Sequence, residues 1–211
     1  MNMDVAIIGA GRVGTTLGAA WKLQGHRILF GVRNPHDSKS NRLVTEGYNV
    51  GMAAEVTSQA DVVLLATPWR ATKNAIQSAG DLSGKVVIDC TNPLKGSLAG
   101  LDVPQDTSGA QQVAQWARGA RVYKAFNQTG TENMVSPVFG SQRAVMFVCG
   151  DDQAGKDVVM QLVSDVGFEA VDAGRLESAR KLEELALLWI HLGANHPELR
   201  RQFAFSILRR R

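Results

Sequence analysis

The stretch Gly9-Ala10-Gly11-Arg12-Val13-Gly14 constrains this chain more than any other. Glycines at that spacing are common in turns, so the flanking residues decide what they mean. Asp4-Val5-Ala6-Ile7-Ile8 is a short apolar run suited to a buried strand, and from Val13 to Leu23 apolar residues recur at helical spacing until Gly25. Strand, glycine turn and helix in that order give each glycine a task. Gly9 permits the tight turn, Gly11 lets the backbone approach a pyrophosphate, and Gly14 lets helix and strand pack closely. The free N–H groups of the helix's first turn then meet phosphates at the positive end of its dipole. Gly9, Gly11, Arg12, Val13 and Gly14 are therefore candidate contacts for the phosphates of a dinucleotide.

The rest of the chain repeats the theme. Arg27-Ile28-Leu29-Phe30-Gly31-Val32 reads as a second strand, stopped by Arg33-Asn34-Pro35 because Pro35 biases Asn34 away from helix. Further apolar, β-branched runs lie at residues 62–66, 86–89, 122–126 and 144–148, each separated by a stretch that can be helical. Strands apolar on both faces belong in a parallel sheet covered by helices. Residues 48–50 are expected as a short third strand, 154–166 as a helix, 168–172 as a late strand, and 176–192 as a helix that Pro197 ends or kinks. The expected fold class is α/β: a Rossmann-type doubly wound, mostly parallel sheet of about eight strands with a C-terminal helix. Residues 1–174 are expected to form the dinucleotide-binding domain, and 175–211 a helix and tail packing on that domain or on a dimer mate.

Composition narrows the class. With 211 residues, 45% hydrophobic and 20% charged, the chain sits at globular averages. No apolar run approaches the roughly 20 residues needed to cross a bilayer, and a first strand starting at Asp4 leaves no room for a signal peptide. A cytoplasmic address is expected. Cys90 and Cys149 end apolar runs and read as reduced core residues. The formal net charge of +3 comes from the tail: five of the 23 basic residues fall in the last twelve positions, and the remainder holds 18 bases against 20 acids. The body therefore carries no bias toward nucleic acid or membrane, and neither is expected as a partner.

At the end of the second strand an NAD-specific fold places a carboxylate for the ribose hydroxyls. This chain has Val32-Arg33-Asn34 there, and an arginine suits a 2′-phosphate instead. Arg33 thus favours NADP, with Lys39 as a possible helper. Later strand ends carry Thr67-Pro68-Trp69, Thr91-Asn92-Pro93 and Asn127-Gln128-Thr129. Asn92 and Asn127 are candidates to hold the nicotinamide amide or ribose, and Trp69 to wall the ring, although Asn-Pro and Thr-Pro are also ordinary turn formers. The sequence contains no convincing nucleophile with its base, no metal-spaced cluster and no obvious carboxylate pair for acid/base work. His26, His36, His191 and His196 are scattered, and Lys124 lies inside a strand. A flavin-like hydride acceptor needs no acid from the protein, only two rings held at contact distance.

Gly9 to Gly14, Gly31-Val32-Arg33-Asn34-Pro35, Thr67-Pro68-Trp69, Asp89-Cys90-Thr91-Asn92-Pro93, Lys124-Ala125-Phe126-Asn127, Cys149-Gly150-Asp151-Asp152, Val171-Asp172-Ala173-Gly174 and the helix from Leu176 to Trp189 together resemble the NADP oxidoreductases dependent on coenzyme F420. The likeness runs over nearly the whole chain and extends to the cytosolic dinucleotide-binding domain of six-transmembrane ferric reductases. It implies hydride transfer between NADP and coenzyme F420 or a related flavin, with the deazaflavin in a cleft near the C-terminal helix. It implies that Arg33 and Asn34 bind the 2′-phosphate and that Thr67, Pro68 and Trp69 line the nicotinamide end. Val32 departs from the family's frequent serine and removes a hydroxyl from that turn.

Two further readings remain open on the sequence. One is a reductase of another small substrate, such as an imine or hydroxy acid, although only about forty residues follow Gly174 where such enzymes carry a long helical domain. The other is a non-catalytic NADP sensor signalling through the C-terminal helix and arginine-rich tail. The broad apolar face from Leu182 to Leu192 needs cover, which makes a homodimer the expected assembly. The tail's apolar residues are expected to pack while its arginines stay solvated.

Overall fold

A computed structural model describes residues 2–96 and 98–210. Its eight-stranded sheet has the order β10-β9-β6-β5-β4-β1-β2-β3. In chain order these are β1 (Asp4–Ile8), β2 (Arg27–Val32), β3 (Asn49–Met52), β4 (Val62–Leu65), β5 (Val86–Asp89), β6 (Arg121–Lys124), β9 (Val145–Gly150) and β10 (Glu169–Asp172). The first six are parallel; β9 runs antiparallel to β6, and β10 follows β9 in parallel. A small hairpin, β7 (Val138–Phe139) with β8 (Gln142–Arg143), stands apart from the sheet. The doubly wound, mostly parallel fold is the expected one. The hairpin was not foreseen, because two-residue strands leave no periodicity to read.

The alternation of side chains along each strand divides the core into two layers. Val5, Ile7, Ile28, Phe30, Leu64 and Ile88 point to one face, under α1 (Arg12–Leu23), α6 (Thr131–Val135) and α7 (Gln153–Val166). Ala6, Ile8, Leu29, Leu65 and Val87 point to the other, under α3 (Ala53–Ser58), α4 (Trp69–Ser78), α5 (Gly109–Trp116) and α8 (Ala179–Asn195). The remaining helix, α2 (Ser38–Thr45), follows β2 and is capped by Asp37, whose carboxylate accepts from Ser40 N–H at 2.7 Å. Helix α8 ends before Pro197, as expected, and starts after a 3-10 turn at Leu176–Ser178.

The acidic motifs late in the chain explain how α8 is delivered. Asp152 caps α7 through Gly155 N–H and accepts from the Tyr123 hydroxyl, while Asp151 accepts from Leu176 N–H at the 3-10 turn. Asp172 binds Lys156 and closes the turn at Gly174. A side chain on Gly150 or Gly155 would fall 2.1 Å from Tyr123 atoms, so both glycines are demanded by that ring.

Beneath the ligand edge lies a wholly buried ion cluster. Lys124 Nζ sits 2.8 Å from Asp89 Oδ2, 2.9 Å from Glu183 Oε1 and 2.7 Å from the Thr91 carbonyl, and all three charged side chains are 0% exposed. The second negative charge is met by α5: Gly109 and Ala110 donate their N–H groups to Glu183 at 3.0 and 3.2 Å, at the positive end of that helix. Burial would depress the Lys124 ammonium, but Asp89 and Glu183 outweigh it and hold the group above its ordinary 10.5. The cluster ties β5, β6, α5 and α8 into one unit. The apolar face of α8 is covered from within the same chain, with Leu182, Ala186 and Trp189 buried, so it gives no reason of its own to expect a dimer.

Replacing Lys124 by Met removes the cation and leaves two buried carboxylates without their counter-charge. Urea unfolding is expected to show a loss of about 3–5 kcal/mol. Burial also pushes the free thiols of Cys90 and Cys149 from 9.0 up to about 12. The folded chain therefore keeps protons that the unfolded chain sheds above pH 9, and, with Lys124 acting in the same sense, stability falls as pH rises from 9 toward 12. Urea midpoints measured below and above pH 9 check this, and a flat profile would contradict it.

Candidate functional site

Ile8, Leu65, Asp89 and Lys124 lie side by side in register, and Gly31 pairs with Ile8 on the other flank. The residues that follow them, Gly9, Thr67, Asn92, Asn127 and Arg33, therefore share one edge of the sheet. In an open α/β sheet this carboxyl edge, at the point where strand order reverses between β1 and β4, is where ligands bind.

The glycine loop is built as its sequence demands. Gly9 has φ +110°, open to glycine without strain, and its N–H binds the Gly31 carbonyl. A Cβ on Gly14 would fall 2.3 Å from the Gly9 carbonyl oxygen and 2.9 Å from Ile7, so helix and strand touch backbone to backbone there. A Cβ on Gly11 would meet nothing within 4 Å. Gly11 is thus free of any packing need. Helix α1 has no side-chain cap, and its first internal bond to the loop runs from Thr15 N–H to the Gly11 carbonyl. The N–H groups of Arg12, Val13 and Gly14 precede that bond in the first turn. Helices α2, α5 and α7 are capped by Asp37, Ser108 and Asp152, whereas α4, α6 and α8 start without a side-chain cap, as α1 does.

Arg33 is exposed at the end of β2 and forms no ion pair among the described residues. Asn34 uses its Oδ1 to accept from His36 N–H at 3.0 Å, leaving its amide NH2 outward. Lys39 lies exposed in the first turn of α2. Thr67 and Pro68 stand at the end of β4. The Thr72 hydroxyl donates to the Pro68 carbonyl, so the Thr67 hydroxyl donates to Thr72 and keeps its lone pairs free.

Two of the expected nicotinamide contacts, Trp69 and Asn127, make contacts within the protein. Trp69 turns its indole onto Trp116 of α5, with ring centroids 5.3 Å apart, and packs in the α4–α5 layer. Asn127 is 4% exposed, and both hydrogens of its amide are used, on Asn92 Oδ1 and on the Leu182 carbonyl of α8, while its Oδ1 accepts from Gln128. Asn92, half-buried, returns a bond to the Asn127 carbonyl at 2.8 Å. Asn127 is therefore a tie between strand ends and α8, and of the two asparagines Asn92 alone retains an amide hydrogen and partial access. The tie depends on Phe126, whose φ of +60° ends β6 two residues sooner than its apolar run suggests. A bulky residue held there costs about 1–3 kcal/mol and persists only where packing over-determines it. Here the ring lies edge-on to Trp21, and Gln128 pairs its amide with both backbone groups of Phe147.

His26 accepts from Met3 N–H and pairs with Asp165, and His191 is exposed on α8 beside Asn195. Among the described residues no group of His, Cys, Asp and Glu is arranged to hold a metal, and no helix is long and apolar enough to cross a membrane. The tail after α8 lies back along the ligand edge. The Phe203 carbonyl accepts from Trp189 Nε1 and Asn133 Nδ2, and the Phe205 carbonyl accepts from Val145 N–H. Two tail arginines expected to be solvated are engaged: Arg201 pairs with Glu132 and Arg209 with Glu169.

The two loop glycines are separable by experiment. Gly14→Ala is expected to lose about 1–3 kcal/mol in urea unfolding through overpacking. Gly11→Ala should stay within about 0.5 kcal/mol of the parent. Equal losses would contradict the packing assigned to the loop.

Residues 4–93 match the family described as NADP oxidoreductase, coenzyme F420-dependent. The F420-dependent NADP reductase of Methanothermobacter marburgensis is 28% identical over 210 residues, covering 90% of this chain and 92% of that protein. The metalloreductase STEAP3 of Rattus norvegicus is 26% identical over 183 residues, where 87% of this chain matches 36% of the larger protein. A candidate F420-dependent NADP-reductase from Arthrobacter sp. FB24, solved by crystallography, superposes with a TM-score of 0.88 at 29% identity, covering 99% of this chain and 100% of that one. The resemblance read from the motifs is borne out over nearly the full length.

Proposed function

We propose, from this likeness to F420-dependent NADP reductases, that the chain is an NADP-dependent oxidoreductase that passes hydride between NADP(H) and coenzyme F420 or a related flavin. The observation that carries the reading is the bare start of α1 on an open Gly11: several N–H donors and a helix dipole converge where a pyrophosphate would lie. Arg33, exposed and without an ion pair among the described residues at the end of β2, would bind the 2′-phosphate beside the outward amide of Asn34. Nicotinamide would extend over the ends of β4 and β5, with Thr67, Pro68 and Asn92 as its neighbours.

The chemistry asked of the side chains is modest. NADPH supplies the hydride and a deazaflavin-type ring accepts it, so the protein must bind, orient and exclude water. The lack of an evident acid/base pair at the edge suits that division of labour. A cytoplasmic enzyme acting on small molecules fits the same picture.

The test is NADPH oxidation followed at the nicotinamide absorbance band, offering coenzyme F420, FMN, FAD and ferric chelates in turn, with NADH for comparison. Turnover with F420 and NADPH is expected. Tight NADPH binding without turnover on any acceptor would replace the enzyme reading by that of a nucleotide sensor. Arg33→Asp is expected to weaken NADPH by roughly ten- to hundredfold, the worth of about 1.5–3 kcal/mol in charged hydrogen bonds, and NADH far less. Equal losses for both would remove Arg33 from the 2′-phosphate site.

A further inference from the structure

Glu132 is the second residue of α6, which packs against α1, and both helices begin at the ligand edge. A carboxylate there is out of place beside a loop shaped for phosphates, and the tail answers it. Arg201 Nε lies 2.8 Å from Glu132 Oε1 and Nη2 3.2 Å from Oε2, a two-pronged pair. The guanidinium lies over the Trp189 indole, 5.0 Å from its centre, and Phe203 stacks on the same ring at 5.3 Å. A Cβ on Gly130 would fall 2.2 Å from Glu132 Oε2, 2.6 Å from Arg201 Nη2 and 2.7 Å from Trp189, so a side chain there would crowd both partners of the pair and the ring. Arg201, and more weakly Arg12 of the glycine loop, hold Glu132 below the usual carboxylate range, which places Glu132 in the field of both cations.

We propose that Arg201 sets the affinity for the dinucleotide by neutralising Glu132, which would otherwise repel the pyrophosphate. The inference rests on the dinucleotide reading above. It makes the C-terminal tail an electrostatic part of a site whose other elements lie in the first third of the chain. The effect acts through an exposed pair, so it is modest and screened by salt.

The test measures NADPH affinity of the full chain by calorimetry at low and high salt. Arg201→Gln is expected to weaken NADPH about fivefold at low salt, less at high salt. Glu132→Gln should bind at least as tightly as the parent, the double variant should return to parental affinity, and Arg201→Lys should keep it. A purely mechanical latch predicts another pattern, in which Arg201→Gln, Glu132→Gln and the double variant weaken binding alike, and that result would overturn the proposal. So would parental affinity in Arg201→Gln. Failure of the folded parent to bind NADPH would sink the dinucleotide reading itself, and with it this inference, before any variant is compared.

Discussion

A single ammonium holds the upper half of this molecule together. Lys124 is buried with two carboxylates and a carbonyl, and the excess negative charge is absorbed by the first N–H groups of α5. Such a cluster is not a cheap source of stability, since desolvating three charges costs much of what their attraction returns. What it does supply is uniqueness. Asp89, Lys124 and Glu183 come from β5, β6 and α8, and only one arrangement of those elements leaves no charge unpaired. The Asn127 amide repeats the logic one layer higher, bonding Asn92 and the Leu182 carbonyl. The C-terminal helix is therefore fastened to the strand ends by polar contacts that tolerate little displacement, and the edge that would hold a ligand inherits that rigidity.

The glycine loop shows how one motif divides between folding and binding. Gly14 serves packing, because its neighbours leave no room for a methyl group. Gly9 serves the turn, because its φ is positive. Gly11 serves neither, and on the proposed reading its open side beside bare helix N–H groups is where the pyrophosphate would come close. The sequence pattern alone treats the three alike. The structure separates them by asking what a Cβ would strike.

Much of the fold was legible because apolar runs of four to six residues, punctuated by glycine turns, have few other solutions. The strand alternation, the helix from Val13 and the stop at Pro197 follow from such signals. The polar interior was harder. Lys124 was legible only as a lysine inside an apolar strand, and its partners Asp89 and Glu183 lie far from it in the sequence. Glu183, however, looks like one more acid on an amphipathic helix, and nothing local tells it from Glu184. Asn127 illustrates the opposite case. Polar residues at strand ends are the natural candidates for ligand contact, yet Phe126 in a left-handed conformation folds Asn127 back into the protein. A backbone reversal set by Trp21 packing and by a bond between the Gln128 side chain and Phe147 is a tertiary event, invisible to periodicity. The contact of Trp69 with Trp116 was illegible for a related reason: the two lie on different helices.

The tail carries the last step. Five arginines near a chain terminus read most simply as solvated charge, and a charge count cannot see that Arg201 is stacked and paired. The distinction matters because a site that binds by backbone N–H groups has little side-chain chemistry with which to tune itself. Helix dipoles and glycine turns are set by the fold and change little among chains that share it. Charges around the rim can vary freely, and they alter affinity without disturbing the loop. On the proposed reading, the contest between Glu132 and Arg201 is such a rim element. It is borne by two segments the glycine motif says nothing about, one after β6 and one after the final helix, which the Asp151 turn and the buried Lys124 cluster hold in place.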